Sequence, residues 1–227
     1  EQKPIDDKTI YDIASITKVA ATTQVVMKLY EEKRLNINSP IGDYLTELDS
    51  TNKKDLLIRD ILTHQAGLKP YIPFWEKTVN DGELKEGYFL DAQGPNHNFK
   101  IEEQRNIPLS LSDSVWQWTI DSDLRNLPKK KKNYDYLYSD LGYTLIYRLV
   151  SKIIDEPIED YLNREFYHSL GLNSTVFLPL EKGYNKDIAP TEVDDYFRNM
   201  VVCGSVHDQN ATLMGGIAGH AGLFSNA

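Results

Sequence analysis

The stretch DIASITKVAATTQVVMKLY, residues 12–30, changes its period at Ser15. Just upstream, TIYDIA at 9–14 alternates weakly and predicts a short strand or extended lead-in. From Ser15 onward, Ile16, Val19, Ala20, Thr23, Val26, Met27 and Tyr30 recur at the three- and four-residue spacing of one helix face. The pattern predicts a helix from Ser15 to about Leu35, stopped by Asn36, Asn38 and Pro40. Ser15 and Lys18 then lie one turn apart at its start. A helix N-terminus offers free N–H groups and a positive dipole end, which favour a developing alkoxide. A buried lysine beside it can take the serine proton, which suits an acyl-forming nucleophile. About one S-x-x-K arises by chance in a chain of this size, so the spacing alone is weak. The plain alternative makes Ser15 an N-cap and Lys18 a solvated helix lysine. A second match, Ser50-Thr51-Asn52-Lys53, lies in polar LDSTNKKD with no apolar helix to bury its lysine, and is set aside.

Working outward, a second helix is expected over Leu56–His64, with Gly67 as its stop signal. Residues 69–112 are rich in Pro, Gly, Asn and charge without a sustained period, and read as surface excursions with a short element near Gly87–Leu90. Helices follow near Ser112–Ile120, on the stripe Leu141, Leu145, Leu149 and Ile153, and from Pro157 through His168. After Gly171 the sequence is loop-like, with glycines clustered from Gly215 to Gly222. No internal repeat is present.

The 227 residues carry 34 acidic and 25 basic side chains, a net charge of −9. That balance argues against a nucleic-acid partner, which needs surplus Lys and Arg. Lys129 to Lys132 form the one basic run, and a solvated loop explains them. No apolar run is long enough for a helical membrane span. A single cysteine, Cys203, excludes an internal disulfide and a cysteine zinc site. EQKPIDDKTI carries no leader-peptide pattern. The chain is expected to be a piece of a longer protein, cut at both ends, forming one incomplete domain over 1–227.

Tyr138-Ser139-Asp140 sits where a loop enters the Leu141–Ile153 helix. Ser139 and Asp140 suit a helix start, whereas Tyr138 could turn its hydroxyl into a cleft, and Tyr136 or Tyr138 should bury its ring. Tyr161 reads as core. The five histidines show no metal-ligand spacing, so neither a metal nor a cofactor is expected. His64 reads as structural, His207-Asp208 as a turn, and His220, between Gly219 and Gly222, as part of a tight turn. No G-x-S-x-G elbow anchors a Ser-His-Asp triad.

Taken together the pieces are more specific. AspIleAlaSerIleThrLys at 12–18 resembles the nucleophile segment of the serine β-lactamase and penicillin-binding-protein superfamily, notably its class C-like branch. IleArgAspIleLeuThrHisGlnAlaGlyLeu at 58–68 resembles that branch's LLTHTSGL segment, TyrSerAspLeuGlyTyr at 138–143 its Y-x-N motif, and PheTyrHisSerLeuGlyLeu at 166–172 its PLGM segment. HisAspGlnAsnAla at 207–211 and GlyHisAlaGlyLeuPheSer at 219–225 are similar to bacterial homologues, some fused to a family 3 glycoside hydrolase module in one exported protein.

The resemblance implies an α+β fold with a helical lobe and an antiparallel sheet, most of the sheet lying outside these residues. It implies Ser15 as the acylated nucleophile, Lys18 and Tyr138 sharing the proton work, and the Ser15 N–H as one oxyanion donor. Asp140 stands where Asn is usual, in a substrate-binding position where a carboxylate would repel an anionic substrate. The K/H-[ST]-G strand with the second oxyanion donor is expected outside the chain, so this stretch alone should be inactive. Helix faces around Val19, Val26 and Leu145 should then be uncovered. The implied substrate is a small molecule or peptide with an amide or ester, peptidoglycan-derived peptides and β-lactams included. The implied setting is periplasmic or otherwise exported. The rival is a degenerate binding module that keeps the fold without turnover.

Overall fold

The computed structural model describes residues 4–80, 83–85, 88, 90, 91, 97–102, 105–127, 133–184 and 187–226. In chain order the elements are β1 (Tyr11–Asp12), α1 (Thr23–Glu31), α2 (Ile58–Leu62), β2 (Val79–Asn80), β3 (Glu83–Leu84), β4 (Leu90–Asp91), β5 (His97–Glu102) and β6 (Arg105–Pro108). They continue with α3 (Leu109–Asp121), α4 (Asp140–Ile154), α5 (Ile158–Leu162), β7 (Val176–Phe177), β8 (Glu192–Asp194), β9 (Met200–Val202), α6 (Gln209–Leu213) and β10 (Leu223–Ser225). The sheets are small and antiparallel: β1-β10-β7, β4-β6-β5, and the pairs β2-β3 and β8-β9. The architecture is α+β, as the resemblance implied. Among the described residues no helix is long and apolar enough to cross a membrane.

The centre is α4. Ser139 caps it, its Oγ accepting the Gly142 N–H at 3.3 Å, and Asp155 closes it in a left-handed turn at φ 55°. Leu141, Leu145 and Leu149 are buried as their spacing predicted, joined by Ile146, Val150 and Ile154. Leu145, Ile146, Leu149, Val150 and Ile154 pack with Ala21, Val25, Val26 and Leu29 from the first helical segment and with Ile58 and Ile61 from α2. Each fully buried Val, Leu or Ile contributes about 1.5–3 kcal/mol relative to exposure, so this cluster dominates the stability of the fold. Gly142 allows α4 to approach α2, since a Cβ there would stand 3.2 Å from Ile61 Cγ2.

The first helical segment departs from the expected stripe. Lys18–Thr22 form a π-turn, which is followed by α1; the helix ends at Glu31, before the left-handed Lys33 (φ 60°), rather than at Leu35. The extra residue in the turn rotates the helix, so Thr17, Lys18, Ala21, Thr22, Val25, Val26 and Leu29 face inward. Ile16 is 57% exposed, and Val19, Met27 and Tyr30 are exposed with it. Of the helix positions expected to be uncovered, Val19 is; Val26 and Leu145 are buried.

Other expectations also shift. The helix at 112–120 runs over Leu109–Asp121, and part of the stretch read as irregular excursions forms the β4-β6-β5 sheet. The supposed loop after Gly171 holds β7, the β8–β9 hairpin, α6 and β10. Gly87 and Phe89 of the expected Gly87–Leu90 element, and Lys129 to Lys132, lie outside the described residues. Lys53 is fully buried: its Nζ donates to Asn52 Oδ1 at 2.7 Å, to Ile120 O at 3.0 Å and to Ser122 O. The absence of an apolar helix behind it was therefore the wrong ground for setting that S-x-x-K aside. What removes it is that Lys53 donates to the carbonyls of Ile120 and Ser122 at the end of α3 and just beyond it, and to an amide, with Ser50 exposed and not among its partners.

Candidate active site

The approach to Ser15 is pinned from both sides. β1 pairs with β10 in the register Tyr11↔Ser225 and Asp12↔Phe224, and Ile13 donates to Leu223 O at 3.0 Å. Asp12 Oδ1 accepts the Ala14 N–H at 2.7 Å, holding Ala14 at φ 46° immediately before the serine. Such a conformation costs a non-glycine residue about 1–2 kcal/mol, and marks a turn held by its surroundings. Burial pushes the Asp12 carboxyl up, against the opposing pull of the His207 and Ala14 N–H groups. Thr17 Oγ1 donates to Ala14 O at 2.6 Å and accepts the Leu223 N–H at 3.1 Å. Ser15 is left exposed on a rigid turn.

Lys18 is only 3% exposed, beneath that serine. Its Nζ donates to Ser15 Oγ at 3.0 Å and to the His220 carbonyl at 3.1 Å, and pairs with Asp140 Oδ1 at 2.6 Å. The same ammonium lies 4.9 Å from the centroid of the Tyr138 ring and 5.7 Å from that of Tyr143. The structure thus brings Ser15, Lys18, Tyr138 and Asp140 together from two segments far apart in the chain. The wide π-turn at Lys18 is stitched by Thr23 Oγ1, which donates to Lys18 O at 2.7 Å and meets Tyr143 Oη at 3.2 Å.

The Tyr138 loop rests on His64. The His64 carbonyl accepts the Leu137 N–H at 3.0 Å, and its Nδ1 accepts the Ser139 N–H at 3.0 Å. The expectation that Tyr136 or Tyr138 buries its ring fails. Both are exposed, Tyr138 at 39%, and both pack on His64. Burial and then the nearby Lys18 charge hold the His64 imidazole below its ordinary range, which keeps Nδ1 an acceptor. Ser139 Oγ, besides capping α4, donates to Lys69 O at 2.6 Å.

A cavity of about 350 Å³ lies elsewhere, between α5 and β7, lined by Tyr167, His168, Phe177 and Lys182 among others. It includes none of the four expected site residues. Among the described residues no group of three His, Cys, Asp or Glu side chains is placed to hold a metal ion.

The Beta-lactamase family model matches residues 1–227, the whole length. The chain belongs to that family. Relatives named provisionally as D-alanyl-D-alanine carboxypeptidases are 31% identical in Escherichia coli K12 and 30% identical in Salmonella agona, over 96% of this chain in each case. The chain spans 48% of the length of those relatives. An octameric penicillin-binding protein homologue from Pyrococcus abyssi superposes with a TM-score of 0.64 at 23% identity, covering 98% of this chain and 43% of that one. A class C β-lactamase from Rhodobacter sphaeroides gives 0.59 at 18% identity, covering 100% and 50%. Both likenesses are at the level of the fold.

Within this Beta-lactamase family chain, one neighbour of the site was misread from sequence. The His220 imidazole is buried, with Nε2 3.0 Å from Asp208 Oδ1, and so is more than a passenger in a glycine turn. Gly219 beside it does meet the expected backbone demand, since a Cβ there would overlap the Tyr143 carbonyl. Asp208 is the N-cap of α6, its Oδ1 accepting the Ala211 N–H at 2.7 Å. The only sequence signal was the HisAspGlnAsnAla and GlyHisAlaGly pair of segments, which carries no spacing rule of its own. His64, read as structural, borders the site directly: its ring packs on Tyr138 and its Nδ1 accepts the Ser139 N–H.

Proposed function

We propose that the protein of which these residues are part is a serine acyl-transfer hydrolase working through a covalent acyl-enzyme on Ser15. The observation that carries this is the 3.0 Å contact between Ser15 Oγ and the buried Lys18 Nζ, with the Tyr138 ring over the same ammonium. Ser15 Oγ attacks the carbonyl carbon of an amide or ester. Its proton is taken by whichever of Lys18 and Tyr138 is deprotonated when attack begins, and is handed to the leaving nitrogen or oxygen as that bond breaks. Water then cleaves the Oγ–acyl ester, returning a proton to Ser15. No described acceptor takes the Ser15 N–H, which leaves it available to the oxyanion.

The names of the relatives favour a peptide ending in D-alanine as the substrate class, with β-lactams and simple esters as alternatives. Such a substrate fits an exported protein, and a fused glycoside hydrolase module would place the activity on cell-wall material. A second reading is a module that binds but does not turn over. Its specific support is the 2.6 Å Lys18–Asp140 ion pair, which engages the Lys18 Nζ with a carboxylate besides Ser15. Intact-mass analysis of the full-length protein after a fluorophosphonate, and after a penicillin, separates the two. A single adduct lost in Ser15→Ala and kept in Ser50→Ala supports the nucleophile. No adduct with either reagent would sink it, and a stable adduct without turnover selects the second reading.

A further inference from the structure

Three oxygens hold Lys18: Ser15 Oγ as a hydrogen-bond acceptor, Asp140 Oδ1 as an ion-pair partner, and the main-chain carbonyl of His220 as an acceptor. The third is the least secure by sequence. It belongs to a segment where Gly215, Gly216 and Gly222 all take positive φ, the backbone type with most freedom to lose. Two anchors fix it. Thr22 Oγ1 donates to Gly219 O at 2.8 Å, and the His220 imidazole reaches Asp208 Oδ1 at 3.0 Å.

Asp208 is itself locked. Its Oδ1 caps α6, and the preceding His207 N–H donates to Asp12 Oδ2 at 2.6 Å. Asp12 Oδ1 in turn holds Ala14, next to the nucleophile. The contacts close a loop from Ser15 through Lys18, His220, Asp208, His207 and Asp12 back to Ala14. We infer that His220 and Asp208 form a positioning dyad, which sets the Lys18 ammonium against Ser15 by fixing the His220 carbonyl.

Stability alone explains the dyad poorly. His220 is 2% exposed, yet its Nδ1 is buried with no hydrogen-bond partner among the described residues, an arrangement that an apolar side chain of similar size would avoid. Burial works against the Asp208 charge, but His220, the Ala211 N–H and Lys18 outweigh it and hold the carboxyl below its usual range. The carboxylate therefore stands ionised behind the imidazole, where it can orient the ring through one hydrogen bond.

This inference rests on the proposed chemistry only for its kinetic consequence, so the test has two readouts on the full-length protein. One is the acylation rate with a fluorophosphonate. The other is the Lys18 ammonium resonance in protein carrying ¹⁵N-labelled lysine, assigned by its loss in Lys18→Arg. His220→Leu fills the site without the hydrogen bond. Asp208→Asn keeps the cap and removes the charge. His220→Gln places an amide N–H where Nε2 stood. The Leu and Asn variants should stay folded, acylate about 10–100-fold more slowly, as expected for a misplaced catalytic group, and lose the Lys18 resonance to fast exchange. His220→Gln should recover acylation to within about threefold and restore the resonance. A wild-type acylation rate and an unchanged resonance in folded His220→Leu and Asp208→Asn would overturn the dyad. An absent wild-type adduct with a Lys18 resonance still governed by His220 would overturn the acyl-transfer chemistry and support the dyad.

Discussion

The imidazole of His64 lies 4.5 Å from the ring of Tyr138, centroid to centroid, at an inclination of 36°, while its Nδ1 accepts the Ser139 N–H. One side chain therefore sets both the backbone and the ring of the tyrosine loop. His64→Ala should lower acylation about 10–100-fold, because Tyr138 loses its backing, and the fold should persist on the α4 core. Binding of a non-reacting substrate analogue should change less than the acylation rate; equal losses in both would show that His64 only supports the fold.

The same residue gives a pH dependence. Its folded-state affinity for the proton is lowered from the ordinary 6.5, by burial first and Lys18 second. The unfolded chain thus binds more protons below that pH, and the contribution of His64 is complete above about 6.5 and lost as the pH falls through its folded value. Thermal unfolding of wild type against His64→Gln between pH 7.5 and 5 should show the gap closing on the acid side. A gap independent of pH would contradict the assignment.

Asp140 places a carboxylate where the family resemblance leads one to expect an amide. It pairs with Lys18 and is 21% exposed, close enough to repel an anionic substrate group. Asp140→Asn should raise acylation by a penicillin, which carries a carboxylate, roughly tenfold relative to acylation by an uncharged ester. Equal changes for the two reagents would mean that Asp140 acts only through Lys18.

Lys53 titrates in an accessible range. Burial lowers its affinity for the proton, from 10.5 to about 8, more than Asp121 and Asp123 restore it. Between those values the unfolded chain holds the proton more tightly, so stability should increase with pH. From pH 8 to 9.5 the gain should be about 1.5 kcal/mol, absent in Lys53→Met. Urea unfolding at the two pH values measures it, and parallel behaviour of the two proteins would refute it.

Arg198 is buried, donating to Asp194 Oδ2 at 2.5 Å, to Val206 O at 2.6 Å and to His207 O at 2.9 Å. Removing it leaves the buried Asp194 charge uncompensated and frees the segment leading to Asp208. Arg198→Leu should cost about 3–5 kcal/mol, whereas Arg198→Leu with Asp194→Leu should recover much of it. A double variant no better than the single one would locate the loss in the carbonyl contacts instead.

How much of this was legible depended on the range of the forces involved. Ser15 with Lys18, and Tyr138 with Asp140, were visible because each pair is local and its flanking apolar residues declare a helix. The α4 core was visible for the same reason. The face of the first helix was misjudged because the π-turn at Lys18–Thr22 breaks the assumed period, and its stitching by Thr23 is not a propensity signal. Lys53 was misjudged because the carbonyls of Ile120 and Ser122 that bury it lie 67 and 69 residues away. His220 was missed because its glycine neighbours explain a turn by themselves, and its partner Asp208 sits across an intervening helix.

The π-turn also has a bearing on which insertions and deletions the chain can absorb. Ser15 and Lys18 are seated by β10 and the loop before it, whereas Val25, Val26 and Leu29 are seated by α4 and α2. One residue of slack between those two anchorages lets each keep its own alignment. Deleting Val19 or Ala20, both outside the innermost layer, would convert the wide turn to a regular one and swing everything after it by about 100°. The Val25–Leu29 face would then leave the core while the Ser15 turn stayed in place. A one-residue gap here should therefore be far less tolerable than any single substitution at the same positions, and the register of this short segment is itself a heritable part of the site.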